Sequence, residues 1–592
     1  MSRLPTGIHT ENEESYTTNL IQTITQVIEN DINDEDVNVE KFLYEEALDK
    51  NLSIASVIGL GFGLMSAPLS LGTTMNNALI DGGPFTIING FIIVYVFSFI
   101  CALSLAEISS KYPIELHGGA AIIANQRYSL ICSWFTGFFL LIGNWTMSIS
   151  ITFAGAQFIL SVFGMVYENF EATEIITVAV FYIVVTICGI VNLKFSRHLE
   201  SINKACVYWV ICAILLIDVL LLAFSKQHHN VSFVFTEFNN VRSGWPSPFA
   251  FIIGFQQANF MLQGFGLLPA ISEEVKQPEK NVPRGLLISV LLSGLSGIVF
   301  LIPILIVLPD ISQLLDTNGG IMSIVLIFKL ATNSYIISFF LILLVIGNLF
   351  FSGVGSIATS SRAVFSMSRD GALPYGVFWT YVDKDSVSKV PKNAVVLSMV
   401  VSYILGLLSL VSSAAFNAFV GAAVISLCAA SLIPITCSIL GFRKKVRGAA
   451  FKLKYIGFIV NIISIVWLLF TIFVLSLPPQ LPVTGASMNY AIIVFFGFVV
   501  IISILWWTWG KQNFHGPLVD ESRNERIDAI QLRNLGLNSK YQKLNGFNNG
   551  ATSDEALHDD NKEGPETGLI LKNQSIGEDD KTIDRDLDDF QF

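Results

Sequence analysis

Twelve long apolar segments are the feature of this sequence that most restricts its fold. A helix needs roughly 20 mostly apolar residues to cross the hydrocarbon core of a bilayer. Because that core offers no water to unpaired backbone groups, such segments must be helical or covered by neighbouring helices. The sequence therefore predicts an all-α integral membrane protein of about 12 transmembrane helices, at residues 53–79, 84–109, 130–163, 174–193, 201–224, 249–271, 286–308, 335–365, 394–411, 414–440, 456–477 and 490–508.

Positive charges between these segments are distributed very unevenly. If the N-terminus is cytosolic, the loops that face the cytosol carry 19 Lys and Arg residues and the outer loops carry 3. Cytosolic loops of membrane proteins are enriched in these residues, and a miscounted segment would mix the two sets. The pattern therefore favours twelve crossings with both termini in the cytosol.

Two of the apolar segments contain residues that disfavour a continuous helix. The first has three glycines and a proline within ten residues, and the sixth repeats the theme. Paired interruptions of this kind are typical of inverted-repeat transporters, in which the freed backbone groups bind the solute. Close helix packing is the alternative explanation for each run. The predicted solute-binding residues are Gly61, Phe62, Gly63, Leu64, Met65, Ser66, Phe255, Gln256, Gln257 and Asn259.

Polar side chains inside apolar segments are costly, so each one indicates a function or a partner. The amides of Asn144 and Asn348 are predicted to join the solute-binding site. Asp218 lies among leucines in the outer half of the fifth segment, where a carboxylate needs a partner, a proton or a cationic solute. Two roles stay open for it: an ion pair with Lys226, or an anchor for a cation.

Two ionisable residues near the ends of segments receive structural interpretations. Glu107, at the end of the second segment beside Lys111, is predicted to stabilise the fold. His117 precedes two glycines and is predicted to lie in a hinge or re-entrant turn, not in a proton relay.

Composition changes sharply at the two ends of the chain. Residues 1–50 carry 12 Asp and Glu residues and residues 511–592 carry 17, out of 46 in the chain. Polar, acidic stretches of this kind cannot bury enough apolar surface to fold alone. The predicted organisation is an acidic cytosolic tail (1–51), a ten-helix transport core (52–440), helices 11 and 12 (441–510), and an acidic, mostly disordered cytosolic tail (511–592).

No residue pattern indicates an enzyme, a metal centre or a cofactor. All seven cysteines fall within apolar stretches and lack the spacing of metal ligands or of a disulfide framework. Clustered histidines and a nucleophile–base pair on one loop are also missing from the sequence.

Three connecting segments resemble signatures of the amino acid–polyamine–organocation superfamily, in its fungal amino acid and choline transporter branch. They follow the second, sixth and eighth apolar segments in the order and at the spacing of that family. The glycine run of the first segment resembles the family's unwound first helix, and the resemblance covers roughly residues 52–510. The three segments are 106–113 with 118–119, 274–284 and 361–374.

The resemblance implies a five-plus-five inverted-repeat fold with helices 11 and 12 appended, alternating access, and a solute site at broken helices 1 and 6. Segments 141–148, 153–157 and 390–393 are similar to polyamine-transporting members of the branch. That similarity implies a polyamine (spermidine, spermine or putrescine) as solute, proton-linked export and a Golgi or post-Golgi membrane. Two positions depart from the family: Val210, where many proton-coupled relatives have a lysine, and Gly266, where some choline-type relatives have an aspartate.

The expected partners are a small cationic organic solute, a coupling proton and membrane lipid, without nucleic acid. A permease for an amino acid, GABA or choline in the plasma or vacuolar membrane is the main alternative, because the same fold carries those solutes. A nutrient receptor on a transporter fold is a third interpretation, and it predicts binding without flux.

Overall fold

The computed structural model describes residues 48–167, 170, 172–316, 322–382, 389–411, 413–485 and 488–517, and helices dominate it. Within these residues, eleven helices are long and apolar enough to cross a membrane. The sixth predicted crossing is present as three consecutive shorter helices, so the count of twelve crossings agrees with the sequence. Most of the two predicted tails lies outside the described residues.

We number the crossings α1 to α12 and give the two halves of a broken crossing the letters a and b. The face at which α1 begins is called the inner face, and the opposite face is the outer face. The crossings are α1a (Ile54–Leu64), α1b (Ala67–Ile80), α2 (Gly83–Lys111), α3 (Ser129–Val166), α4 (Glu174–Lys194), α5 (Leu199–Phe224), α6a (Ser247–Ile253 and Phe255–Leu262), α6b (the 3-10 helix Gln263–Glu274), α7 (Pro278–Ile306), α8 (Tyr335–Arg369), α9 (Lys392–Gly406 and Leu408–Val411), α10 (Ser413–Leu440), α11 (Ile456–Leu475) and α12 (Ala491–Leu505).

Short helices occupy several of the connections between crossings. On the outer side they follow α5 and α7, and on the inner side they follow α2 and α8. They are Leu116–Ile123, Val231–Thr236, Ile311–Asp316, Ser323–Thr332 and Gly376–Trp379.

The predicted bounds agree with most helix ends, and α7 is the clearest exception. It begins at Pro278, well before the predicted start at residue 286. Proline is favoured in the first turn of a helix, where its missing N–H costs nothing. The hydropathy pattern could not reveal this start, because the first two turns of α7 are polar and extend beyond the apolar stretch.

The first crossing lies at the centre of the bundle, and the last one lies at its edge. In α1, 83% of the most apolar window is buried within the protein, compared with 11% in α12. Peripheral crossings expose apolar faces, as α5 does at Tyr208, Leu215 and Val219. A bilayer surrounding the bundle accounts for that exposure.

Glycine lets α1a approach its neighbours at backbone distance. A Cβ atom on Gly59 would lie 1.9 Å from the carbonyl oxygen of Asn203 in α5. On the other side, a Cβ on Gly285 of α7 would lie 2.5 Å from Val57. Small residues at such crossings permit close helix packing in membranes, so part of the glycine enrichment of this region serves packing.

Glu107 joins elements of the fold, as its predicted structural role requires. Its carboxylate pairs with Arg443 from the connection between α10 and α11, not with Lys111. It also accepts a 2.9 Å hydrogen bond from the backbone N–H of Leu453. Glu107 therefore anchors that connection to the inner end of α2.

We predict that Gly59→Ala lowers the unfolding temperature of the purified protein, because the new methyl group would collide with the backbone of α5. The control is Gly497→Ala on α12, where a Cβ meets nothing within 4 Å. Alanine is favoured over glycine in a helix by about 1 kcal/mol, so the control should be neutral or slightly stabilising. Equal effects of the two substitutions would contradict the close contact between α1a and α5.

Candidate functional site

The first crossing is interrupted at Met65 and Ser66, inside the predicted glycine-rich run. Met65 has φ −102° and ψ 37°, and Ser66 has φ −68° and ψ 118°, so neither residue continues the helix. The two N–H groups bond back to the carbonyls of Gly61 and Gly63. The hydroxyl of Ser66 is fully buried and has no hydrogen-bond partner.

The sixth crossing changes its helix type at the second of its two predicted glycine-containing stretches. Its backbone is α-helical through Leu262 and then forms a 3-10 helix from Gln263 to Glu274. This stretch contains Gly264, Gly266 and Pro269. Runs of 3-10 helix longer than three or four residues are uncommon and often mark a hinge or a functional segment.

The two interruptions touch each other in the middle of the bundle. A Cβ on Gly264 would lie 2.8 Å from Cγ of Met65 and 3.6 Å from the carbonyl oxygen of Leu64. From α8, the hydroxyl of Ser352 donates a 2.6 Å hydrogen bond to the carbonyl oxygen of Gly63. The predicted run in α1 is therefore enclosed by α6 and α8.

Three asparagines near these interruptions share one arrangement. Each donates its amide N–H to the carbonyl four residues earlier in its own helix, at 2.8 to 3.0 Å. Because a carbonyl can accept only from the NH₂ group, this contact fixes the orientation of the amide. The side-chain oxygens remain buried without a partner. The residues are Asn144 on α3, Asn259 on α6a and Asn348 on α8.

Gln263 is a site residue that the sequence analysis missed. It is 1% exposed, and both its oxygen and its nitrogen lack hydrogen-bond partners. An unsatisfied buried polar group costs about 1–3 kcal/mol, so the whole amide of Gln263 is available to a water molecule or a solute. The signal in the sequence is an amide directly before the Gly264–Gly266 run.

The remaining predicted residues of α6 serve packing between helices. Gln256 donates to the carbonyls of Val474 and Leu477 at the end of α11, and Phe255 packs against aromatic rings there. Gln257 donates at 3.1 Å to the carbonyl of Leu71 in α1b, which ties the two broken crossings together. The buried side chain of Phe62 lies in the main hydrophobic core.

The two asparagines outside α6 lie on opposite sides of the interruption of α1. On α8, Asn348 lies one turn outside Ser352, which marks the level of Gly63. Asn144 lies on the inner side, because its backbone carbonyl accepts a 3.1 Å hydrogen bond from Ser360, two turns further along α8. The unpartnered oxygens thus extend along the axis of the bundle.

Asp218 faces the protein interior in the outer half of α5. It is 7% exposed, and on the same helix face Ile214, Ile217 and Leu221 are buried. One carboxylate oxygen has no hydrogen-bond partner. Lys226 is exposed and forms no ion pair with it. In the described parts of the twelve crossings, Asp218 is the one buried carboxylate without an ion pair.

The inner ends of α1, α6 and α8 are fastened together. Residue Leu52, just before α1, pairs with Val275, just after α6b, in an isolated parallel bridge. Arg362 of α8 contacts Glu274 at 2.6 Å, and both side chains are largely buried. Arg369 binds Glu273 through two hydrogen bonds of 2.6 and 2.7 Å. These contacts join the inner ends of the two broken helices to each other and to α8.

His117 lies near these inner-face contacts. Its predicted hinge or turn is wrong, because the residue is part of a short helix. It lies in the short helix Leu116–Ile123, fully buried, with its ring 3.0 Å from Asp370 and 3.4 Å from Glu115. Burial alone would lower the pKa of His117, but the two carboxylates raise it to about 9. Burial raises the pKa of Glu115 to about 7. At the longer distance the Glu115 contact is a charge contact, and Asp370 is the hydrogen-bonding partner.

A cavity of about 500 Å³ opens at the outer face, away from the helix interruptions. Its walls come from the end of α1b and from the connections after α5 and α7, and include Ile80, Glu237, Arg242 and Asp310. None of the residues around Met65 or Gln263 lines it. This cavity is therefore separate from the helix interruptions.

Asp81, beside this cavity, is a second residue that the sequence analysis missed. It joins α1b to α2, is 1% exposed, and has one carboxylate oxygen without a partner. Burial, without a compensating charge, raises its pKa from 3.8 to about 8. The uncharged form is therefore favoured in the folded protein.

Comparison with known proteins gives a consistent result. The sequence profile of the amino acid permease family matches residues 53–520, which include all twelve crossings. The polyamine transporter TPO5 of Saccharomyces cerevisiae is 50% identical over 552 residues, which are 92% of this chain and 89% of that protein. Amino-acid permease BAT1 of Arabidopsis thaliana is 29% identical, with 81% and 96% covered. The choline transporter of Saccharomyces cerevisiae is 28% identical, with 82% and 85% covered.

We predict that Asp81→Asn raises the unfolding temperature at pH 7 and raises it much less at pH 5, closer to the lower limit of the titration window. A buried carboxyl with a raised pKa contributes stability that is complete below about pH 3.8 and is lost as the pH rises through about 8. The loss between these limits is at most about 1.4 kcal/mol per pH unit. The exposed Asp310→Asn should change neither value. A wild-type stability that does not fall between pH 5 and 7 would contradict the burial of Asp81.

Proposed function

Because the chain belongs to the amino acid permease family, we propose that this membrane transporter carries polyamines by proton-linked export from the cytosol. The observation that carries the proposal is the acceptor-rich meeting point of α1 and α6. Resemblance over nearly the whole chain to a polyamine transporter supports the choice of solute. We place the protein in a Golgi or post-Golgi membrane, with the inner face toward the cytosol, as the 19 to 3 charge asymmetry favours.

The unpartnered atoms around the interruptions are mainly hydrogen-bond acceptors. The side-chain oxygens of Asn144, Asn259 and Asn348 can only accept, and the hydroxyl of Ser66 can do so as well. An ammonium group carries donors and no acceptor, so this surface matches it. A carboxylate would instead require donors, and the unpartnered donors here are the amide nitrogen of Gln263 and the hydroxyl of Ser66.

A polyamine carries several separated positive charges, and the proposed site offers acceptors at several depths. Asn348 and Asn144 lie on either side of the interruption along α8. Asp218 on α5 supplies a carboxylate toward the outer side, where it anchors one ammonium group. This arrangement favours a long, flexible cation over a compact zwitterion.

Alternating access in this proposal begins with release of the inner-face contacts. The pairs Arg362–Glu274 and Arg369–Glu273 join α8 to the end of α6b, and the pair His117–Asp370 joins the segment after α2 to the end of α8. Breaking them would open a path from the cytosol to the interruptions. After the polyamine is released, the carrier would return with a bound proton, which moves in the opposite direction to the polyamine.

A permease for an amino acid or choline is the second candidate. The 28 to 29% identity to an amino-acid permease and a choline transporter favours it, since the fold is shared over most of the chain. A single positive charge, as on choline, would also suit an acceptor-rich site.

We predict that the purified full-length protein in proteoliposomes accumulates radiolabelled spermidine when the interior is acidic. Arginine, GABA and choline, tested as competitors in excess, should leave the rate unchanged, whereas spermine should lower it. Collapse of the proton gradient should abolish accumulation and leave spermidine exchange intact. Flux of choline or an amino acid without spermidine flux would refute the polyamine assignment and favour the second candidate.

We predict that Gln263→Leu raises the KM for spermidine about tenfold, since loss of one hydrogen bond to a charged group costs about 1.5–3 kcal/mol. Its unfolding temperature should not fall, because the amide has no partner in the unliganded protein. The matched substitution Gln256→Leu should lower the unfolding temperature and leave the KM unchanged, because Gln256 donates hydrogen bonds to two carbonyls near the end of α11. A Gln263→Leu protein that is unstable with an unchanged KM would show that this residue serves packing.

A further inference from the structure

Two cysteines from distant parts of the chain meet near the inner face. The thiol of Cys437 on α10 points toward Cys132 on α3, with 3.8 Å between the sulfur atoms. The residues are 305 positions apart, so the contact arises from the packing of α3 against α10. All seven cysteines are free thiols.

Both thiols lie close to water at the inner face. Cys132 is in the first turn of α3 and Cys437 is in the last turn of α10, so each lies about 5 Å from the end of its helix at 1.5 Å per residue. Both are half-buried, whereas Cys101, Cys188 and Cys428 are fully enclosed. A small oxidant can therefore reach the first two more easily than the other three.

The surrounding contacts hold the two helix ends together. Lys445, in the segment after α10, donates its Nζ to the carbonyls of Ile122 and Ala124 at 2.7 and 3.0 Å, just before α3. A disulfide requires about 2.0 Å between sulfurs and a Cβ separation of about 3.5–4.5 Å. The remaining approach of about 2 Å is within the reach of side-chain rotation and a small adjustment of the helix ends.

We propose that Cys132 and Cys437 form a redox modification site, at which a hydroperoxide joins the two sulfurs in a disulfide that tethers α3 to α10. One thiolate attacks the peroxide O–O bond, which gives a sulfenic acid and releases an alcohol, or water when the oxidant is hydrogen peroxide. The second thiol then displaces water from the sulfenic sulfur and forms the S–S bond. Two thiols lose two electrons in total, and the peroxide is reduced; a thiol reductant reverses the bond by exchange.

The tether has a consequence for transport that rests on the proposed function. On α10, Leu427 and Ser431 face Gly266 of α6b. A Cβ atom on Gly266 would lie 4.0 Å from Cβ of Leu427 and 3.8 Å from Oγ of Ser431. Leu427 also fills the space beside Gly143 of α3. A disulfide between α3 and α10 therefore restrains the helix that covers α6b, and we expect it to slow a cycle in which α6b moves.

The first test maps the bond directly in the full-length protein, reconstituted in lipid and treated with hydrogen peroxide. After free thiols are blocked and the protein is digested, mass spectrometry should find the Cys132–Cys437 disulfide peptide, and dithiothreitol should remove it. The Cys132→Ser protein should lack this peptide while it retains the wild-type unfolding temperature. Cys132 and Cys437 that stay reduced after peroxide treatment, with no disulfide peptide recovered, would overturn the proposal.

The second test measures initial rates of spermidine transport in the same preparations. Peroxide should lower the wild-type rate several-fold, dithiothreitol should restore it, and Cys132→Ser and Cys437→Ser should not respond. A disulfide-bonded protein that keeps its full rate would refute the effect on transport. Untreated protein without spermidine flux would instead refute the proposed solute, and the mass-spectrometric result would stand independently of it.

Discussion

The need to satisfy backbone hydrogen bonds within a bilayer governs this structure. Most of the described crossings meet it as α-helices, whereas α1 is interrupted at Met65 and Ser66 and α6 changes to a 3-10 helix after Leu262. Their interruptions are tolerated because protein surrounds them. Gly264 packs against Met65, and the hydroxyl of Ser352 donates a hydrogen bond to the carbonyl of Gly63. The central position of α1 follows from this constraint, since an interrupted helix cannot face lipid.

The chemistry of the central region follows from how asparagine behaves in a helix. When its NH₂ group bonds back to the preceding turn, its oxygen is turned outward as a fixed acceptor. The described structure places three such oxygens along the region where α3, α6 and α8 approach one another, at Asn144, Asn259 and Asn348. Such a surface can bind the N–H donors of a cation although the surface itself contains no buried charge. A cation could therefore be held next to the interruption even though the candidate carboxylate, Asp218, lies on α5.

Sequence reasoning located the interruptions correctly but assigned their side chains only in part. Glycine runs and apolar periodicity are local signals, so the break in α1 falls within Gly61–Ser66 as predicted. The direction in which Gln256 and Gln263 point depends on how α6 rotates against α11, and that is a tertiary property. The inner-face pair of Glu274 and Arg362 was likewise beyond reach, because its partners lie 88 positions apart. Asp81 was missed since a carboxylate at a helix end usually faces water.

The two faces of the bundle differ in a way that bears on the energetics of transport. On the inner side, charges are paired across the interface between α6 and α8. In the proposed transport cycle, each pair separates into water before a path opens. Substitution of one partner costs free energy because the other charge remains buried and unpaired. A conformational change that exposes both partners to water at once costs far less free energy. On the outer side, the connection at Asp81 contains a buried carboxyl without a counter-charge, and the adjoining cavity contains water-accessible charges. The inner ends of α6 and α8 are therefore held together by paired charge, whereas the connection between α1b and α2 contains a carboxyl that is stabilised in its uncharged form, so acid on that side favours this connection.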